Sequence, residues 1–214
     1  MKYENLKRMT IISMLCAAAF IMVFFVRIPI MPSVPFLKYE PKDIIIVIGG
    51  FIYGPVAAFS VSAIVAALEF ITISDTGIIG LVMNIISSCA FACTASAIYK
   101  YRRTMGGAIG GLVCGVVVMT ALMLLWNYLI TPLYMKIDRE VVKAMLIPAF
   151  LPFNLIKGVL NMAFTLFLYK PVTRALRKSG ALLPVSYKAS NKTSMILGIV
   201  FLAVSLVALY IISR

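Results

Sequence analysis

Asn154 and Lys157 stand three positions apart inside an uninterrupted apolar run, residues 144–169, in which Lys157 is the only charge. About 20 residues rising ~1.5 Å each cross a ~30 Å hydrocarbon core, so this run is long enough to span a bilayer. An ammonium deep in a spanning helix costs about 2.5–3.5 kcal/mol on insertion scales and marks a functional site by default. Lys157 lies more than a dozen residues from Lys170 and from Lys143, too far to reach either end. On a helix, Asn154 and Lys157 share a face. Together they offer an amide that donates and accepts and an ammonium that only donates. That chemistry suits a neutral, heteroatom-rich ligand better than a metal ion. The bland reading is a lysine paired with a carboxylate between helices. Pro148 and Pro152 just upstream can open the backbone hydrogen-bond ladder, which is tolerated where the chain lines a cavity.

The elements that must position these groups are membrane helices. The chain has 214 residues, of which 63% are hydrophobic, and its apolar runs are continuous rather than alternating. This excludes an ordinary soluble domain and disfavours a β-barrel. The fold expected is an all-α polytopic bundle of six helices plus a seventh, C-terminal span. The helices are expected over residues 9–26, 43–53, 55–73, 78–99, 105–128 and 144–169, with the last span at 195–212. The first run reads as a spanning helix rather than a cleaved leader, being too long and lacking a small-residue cleavage site. Three units follow: a membrane domain at 1–178, a basic cytoplasmic linker at 179–192 and the extra span at 193–214.

The net charge of +13 sits at the ends of the apolar runs, as the positive-inside rule expects, and argues for no nucleic acid. With a cytoplasmic N-terminus, twelve Lys and Arg fall on inner segments and seven on outer ones, Lys42 among the latter. There is no histidine, which removes the usual nucleophile pairs, His-zinc sites and His proton relays. No G-x-x-x-x-G-K-[ST] is present, so the chain supplies no P-loop. Cys16, Cys89, Cys93 and Cys114 lie in apolar helices and read as packing residues; neither a metal nor an enzyme is expected.

In this orientation Asn127, nine residues before Lys136, and Asn154, eleven after Lys143, lie roughly 13–17 Å below the outer edge. Asn84 and Glu69 lie in the same half, somewhat shallower. Helices 1 and 2 are expected to add no charge or asparagine there. Matched depths predict an outward-open pocket, with Trp126, Tyr128 and Phe153 as candidate flat walls. The loop at 27–41, with four prolines and with Phe36, Leu37, Lys38, Tyr39 and Glu40, is unusually aromatic and charged for a connector and lies on the same side.

The chain resembles the riboflavin-specific substrate-binding (S) components of energy-coupling factor (ECF) transporters, the RibU family. The resemblance rests on Phe51-Ile52-Tyr53-Gly54-Pro55, on Trp126-Asn127-Tyr128 followed by Thr131-Pro132-Leu133-Tyr134, and on Ile147-Pro148 through Pro152-Phe153-Asn154-Leu155-Ile156-Lys157-Gly158. It covers residues 1–178. It implies high-affinity riboflavin capture in the bacterial cell membrane by a six-helix subunit. Such a subunit works with a transmembrane coupling protein and two ATPases. It implies that Asn127, Asn154 and Lys157 bind the polar edge of the isoalloxazine ring, with Asn84, Leu37, Lys38, Tyr39 and Glu40 contributing ring or ribityl contacts. It also implies a small-residue face on helix 1, here Ser13 and Ala17, that meets the coupling protein. Small-xxx-small spacing by itself says only that some helix approaches closely. The competing expectations are an S component for another vitamin or heterocycle, and a membrane scaffold that binds nothing.

Overall fold

The computed structural model describes residues 2–31, 34 and 37–178. The expected linker at 179–192, the expected seventh span at 193–214 and Phe36 of the loop lie outside the described residues. Within them the chain is an all-α bundle. Helix α1 covers Lys2–Phe25, α2 Lys42–Tyr53, α3 Pro55–Thr72, α4 Gly77–Tyr101, α5 Met105–Met135, α6 Arg139–Met145 and α7 Leu151–Lys178. A five-residue π-helical turn, Leu146–Phe150, joins α6 to α7. Two short strands, β1 (Ile28–Pro29) and β2 (Lys38–Tyr39), pair antiparallel between α1 and α2, with Ile28 opposite Tyr39.

Five helical stretches are long and apolar enough to cross a membrane: Asn5–Phe25, Pro55–Thr72, Gly77–Tyr101, Met105–Met135 and Arg139–Leu176. The expected second span, α2, has 12 residues and so reaches only ~18 Å. It does not begin at the membrane surface. Lys42 and Asp43 in its first turn are 1% and 0% exposed, inside the bundle. Side chains of α3, α4 and α7 enclose this start.

Helix ends follow local chemistry. Gly54, with φ +92°, makes the tight reversal into α3, and Pro55 occupies the first turn, where its missing N–H costs no helical bond. Thr104 caps α5 by accepting from the Gly107 amide at 3.1 Å. Helix α5 runs past Thr131-Pro132, where a helix end near Tyr128 was expected, and ends at Met135. A proline removes only one donor here, and spanning helices absorb that loss. Pro148, expected to open the ladder, lies in the π-helical turn, where the Leu151 amide reaches back to the carbonyl of Leu146.

The core is built around the α4–α5 contact. Gly111 and Gly115 face α4 so closely that a Cβ would fall 2.7 Å from the carbonyl oxygens of Ala95 and Phe91. This is the close approach that the glycine spacing of α5 predicts. Around it lie buried Ile46, Val61, Phe91, Leu112 and Met119. A second apolar cluster, Met31, Val34, Leu37, Val142, Ala149, Phe150 and Phe153, seats the α1–α2 connection on α6, the π-helical turn and α7. Met31, Val34 and Leu37 of that connection are therefore packed into the body.

Candidate binding site

Buried polar groups form two adjoining clusters that meet at the start of α2. The Lys42 ammonium meets Glu40 Oε2 at 2.8 Å and the two Glu69 oxygens at 2.7 and 2.6 Å. Glu40 accepts a further bond from Arg27 Nε at 3.0 Å, and Arg27 Nη1 donates to the Ile73 carbonyl at 3.0 Å. Asn84 Nδ2 donates to Glu69 Oε2 at 2.8 Å. The adjacent Asp43 accepts from Ser88 Oγ at 2.5 Å and from Asn161 Nδ2 at 3.2 Å, and lies 3.6 Å from Lys157 Nζ. Tyr39 donates its hydroxyl to Asn161 Oδ1 at 3.1 Å. Three cations (Arg27, Lys42, Lys157) face three carboxylates (Glu40, Asp43, Glu69), so the network is neutral.

That balance answers the main difficulty of charge inside a membrane domain. An isolated buried ion is prohibitively costly, whereas a hydrogen-bonded, charge-balanced set satisfies most of its lone pairs and protons. Asp43 gains further from its place in the first turn of α2, where the helix dipole favours an anion. At Glu40 two effects oppose. Burial would raise its pKa, but Lys42, then Lys157 and Arg27, outweigh burial and hold the carboxyl down at about 2.

The two buried lysines differ in one respect. Lys42 has three oxygen contacts within 2.8 Å, which saturates its donors. Lys157, 6% exposed, has Ser87 Oγ at 3.5 Å and Asp43 Oδ2 at 3.6 Å. A charge-assisted N–H···O bond is ordinarily ~2.7–2.9 Å. Lys157 thus has its countercharge beside it while its donors are not tightly engaged.

The expected site residues fall into three groups. Lys157, Glu40, Tyr39 and Asn84 belong to the network or bond directly to it. Asn154 and Asn127 are buried but brace their own helices: Asn154 Nδ2 donates to the Phe150 carbonyl at 2.8 Å, and Asn127 Nδ2 to the Met123 carbonyl at 2.7 Å. Thr131 Oγ1 donates to Asn127 Oδ1 at 2.9 Å. One back-bond of this kind fixes the direction of the amide and leaves its second N–H for another partner. Leu37 and Lys38 stand apart from the polar centre. Leu37 packs in the apolar cluster beneath the hairpin, and Lys38 makes a partly exposed ion pair with Asp75 at 3.6 Å. Ser13 and Ala17 are exposed on α1, in a stripe with Leu6, Thr10 and Ile21.

Two expectations are corrected. Helix 2 was to bring no charge to the outer half, yet Lys42 and Asp43 are the centre of its network, because α2 starts inside the bundle. For the same reason Lys42 does not belong among the outer loop charges, which leaves six there, still fewer than the inner twelve. Asn161, 0% exposed, escaped notice although it is four residues after Lys157 and so on the same face. That spacing was the available signal. Among the described residues no cluster of three His, Cys, Asp or Glu could hold a metal ion.

Comparison with known proteins gives this geometry its context. The sequence pattern of the family described as "ECF transporter, substrate-specific component" matches residues 7–169. The riboflavin transporter RibU of Staphylococcus aureus is 31% identical over 179 residues, 80% of this chain and 93% of that protein. The riboflavin transporter FmnP of Bacillus subtilis is 32% identical over 177 residues, 78% of this chain and 92% of that one. A solved structure from work titled "Structure and mechanism of the S component of a bacterial ECF transporter" superposes with a TM-score of 0.68 at 30% identity. The match covers 80% of this chain and 98% of that one. The extent of these matches, together with the helical membrane bundle, shows that the chain belongs to the substrate-specific (S) component family of ECF transporters.

Proposed function

We propose that this protein captures riboflavin at the outer face of a bacterial cell membrane and delivers it inward as the substrate-binding subunit of an ECF-type transporter. The observation that carries the reading is the loose coordination of Lys157. A buried ammonium whose polar partners among the described residues, Ser87 Oγ and Asp43 Oδ2, lie at 3.5 and 3.6 Å is poised to donate to an incoming acceptor. Asn154 on the same face of α7 and Asn127 on α5 add two oriented amides. Together they suit the alternating carbonyl and ring-nitrogen edge of an isoalloxazine. Both relatives named above are described as riboflavin transporters, which favours this heterocycle over others.

In this reading the 36–43 loop, with Tyr39 and Glu40 hydrogen-bonded to buried polar groups, closes over the ligand, and the N-terminus is cytoplasmic. Asn84, Leu37 and Lys38 help to shape the ribityl end. Energy comes from two ATPases through a transmembrane coupling protein that meets the exposed Ser13–Ala17 face of α1. Residues 1–178 form the transport domain, 179–192 a cytoplasmic linker and 193–214 an additional span.

The deciding experiment is a visible absorption spectrum of the detergent-purified protein, followed by a riboflavin fluorescence titration. A co-purified flavin, or stoichiometric quenching, is the expected result. A colourless protein that leaves riboflavin fluorescence unchanged would overturn the substrate and open the site to other heterocycles.

A further inference from the structure

Asp43 lies beside Lys157, has no surface exposure and meets three side chains from two other helices. It receives Ser88 of α4, receives Asn161 of α7 and faces the Lys157 ammonium at 3.6 Å. Its two oxygens are divided: Oδ1 takes the serine, while Oδ2 takes the asparagine and faces the lysine. With one oxygen clamped by a hydroxyl, the carboxylate cannot rotate freely, so Oδ2 is held at a fixed place under α7. Asn161 is itself fixed from its other end by Tyr39.

We infer that Asp43 is a positioning and specificity-determining residue for the ligand site: it aims the Lys157 ammonium and cancels its charge, so that the site accepts a neutral ring system in preference to an anionic derivative. The inference rests on the reading that Lys157 contacts riboflavin. Two consequences follow from the chemistry. Without the carboxylate, Lys157 loses its anchor and donates less well to a neutral acceptor. The network also changes from neutral to a net positive charge, which favours a ligand carrying a phosphate. Loss of packing alone would weaken neutral and anionic ligands alike.

The test measures dissociation constants by flavin fluorescence for riboflavin and for riboflavin 5′-phosphate, on the full chain in detergent. The proteins are wild type, D43N, D43E, K157A and the D43N/K157A pair. The expected result is that D43N weakens riboflavin by about tenfold and lowers the ratio of phosphate-ester to riboflavin dissociation constants at least threefold. D43E should restore most of that ratio, and D43N should add little once Lys157 is gone. Equal losses for both ligands, or full additivity with K157A, would overturn the inference. If D43N does not fold, D43S, which removes the carboxylate but keeps a hydroxyl for Ser88 or Asn161, should move the ratio in the same direction; an unchanged ratio there overturns the inference as well. Failure of wild type to bind any flavin removes the function reading itself. Tight wild-type binding with D43N unchanged removes only the role of Asp43.

Discussion

Tyr39 of β2 donates its hydroxyl to Asn161 of α7 at 3.1 Å, joining residues 122 positions apart in the chain. It is a direct side-chain tie between the hairpin and the helix that carries Lys157. Removing one neutral hydrogen bond changes a free energy by about 1 kcal/mol. Y39F should therefore speed riboflavin release by roughly fivefold, with little effect on the association rate. Stopped-flow fluorescence separates the two. An unchanged release rate would mean that the hairpin does not hold the ligand.

The ring-edge assignment predicts that K157A and N154A each weaken riboflavin binding by at least tenfold, about 1.4 kcal/mol. Titration of the purified variants measures this directly. Wild-type affinity in both would remove them from the site.

Lys42 calls for a different outcome. Its donors are already saturated by Glu40 and Glu69, so it serves stability rather than recognition. K42M leaves the buried Glu69 without its cation and Glu40 with Arg27 alone, a loss of about 3–5 kcal/mol in comparable buried pairs. The melting temperature in detergent should drop sharply. Adding E69Q and E40Q should recover part of the loss, because the stranded charges are then gone.

Glu40 makes the stability depend on acid. Its carboxyl is held at about 2, below the ordinary 4.5, so the folded state binds this proton less readily than the unfolded chain. The corresponding stability is present above about pH 4.5 and is lost as pH falls towards 2. Melting curves from pH 7 to pH 3 should show an acid-side decline that is shallower in E40Q. Superimposable profiles would show that Glu40 does not titrate in this way.

Exposed α1 offers a test of partner docking that spares the ligand site. A17W should block assembly with the coupling protein, measured by co-purification, while riboflavin affinity stays at the wild-type value. Assembly at the wild-type level would direct the search to another face.

Much of this architecture was legible because membrane helices announce themselves by length and continuity. Lys157 and Asn154 stood out because any polar group in such a run is conspicuous, and Pro148 lies in the irregular turn that its missing N–H suggested. The misses share a cause. Lys42 and Asp43 adjoin a proline-rich connection and resemble ordinary charges at a helix start, and nothing local reveals that α2 begins below the surface. Their burial comes with partners on α3, α4 and α7, 27 to 118 positions away in the chain. The continuation of α5 beyond Pro132 was hidden for the opposite reason, since a rule drawn from helices in water was applied where neighbouring helices relax it.

The π-helical turn at Leu146–Phe150 sets an angular offset between two halves of what is otherwise one helix. In regular winding each residue advances the helix by about 100°, so one extra residue taken up in a wide turn rotates everything beyond it relative to everything before. Here α6 presents Val142 to the hairpin, while α7 presents Asn154, Lys157 and Asn161 to the charged centre. The turn separates those two registrations. The wide turn thus lets one rod place Val142 against Leu37 and, further along, Lys157 beside Asp43.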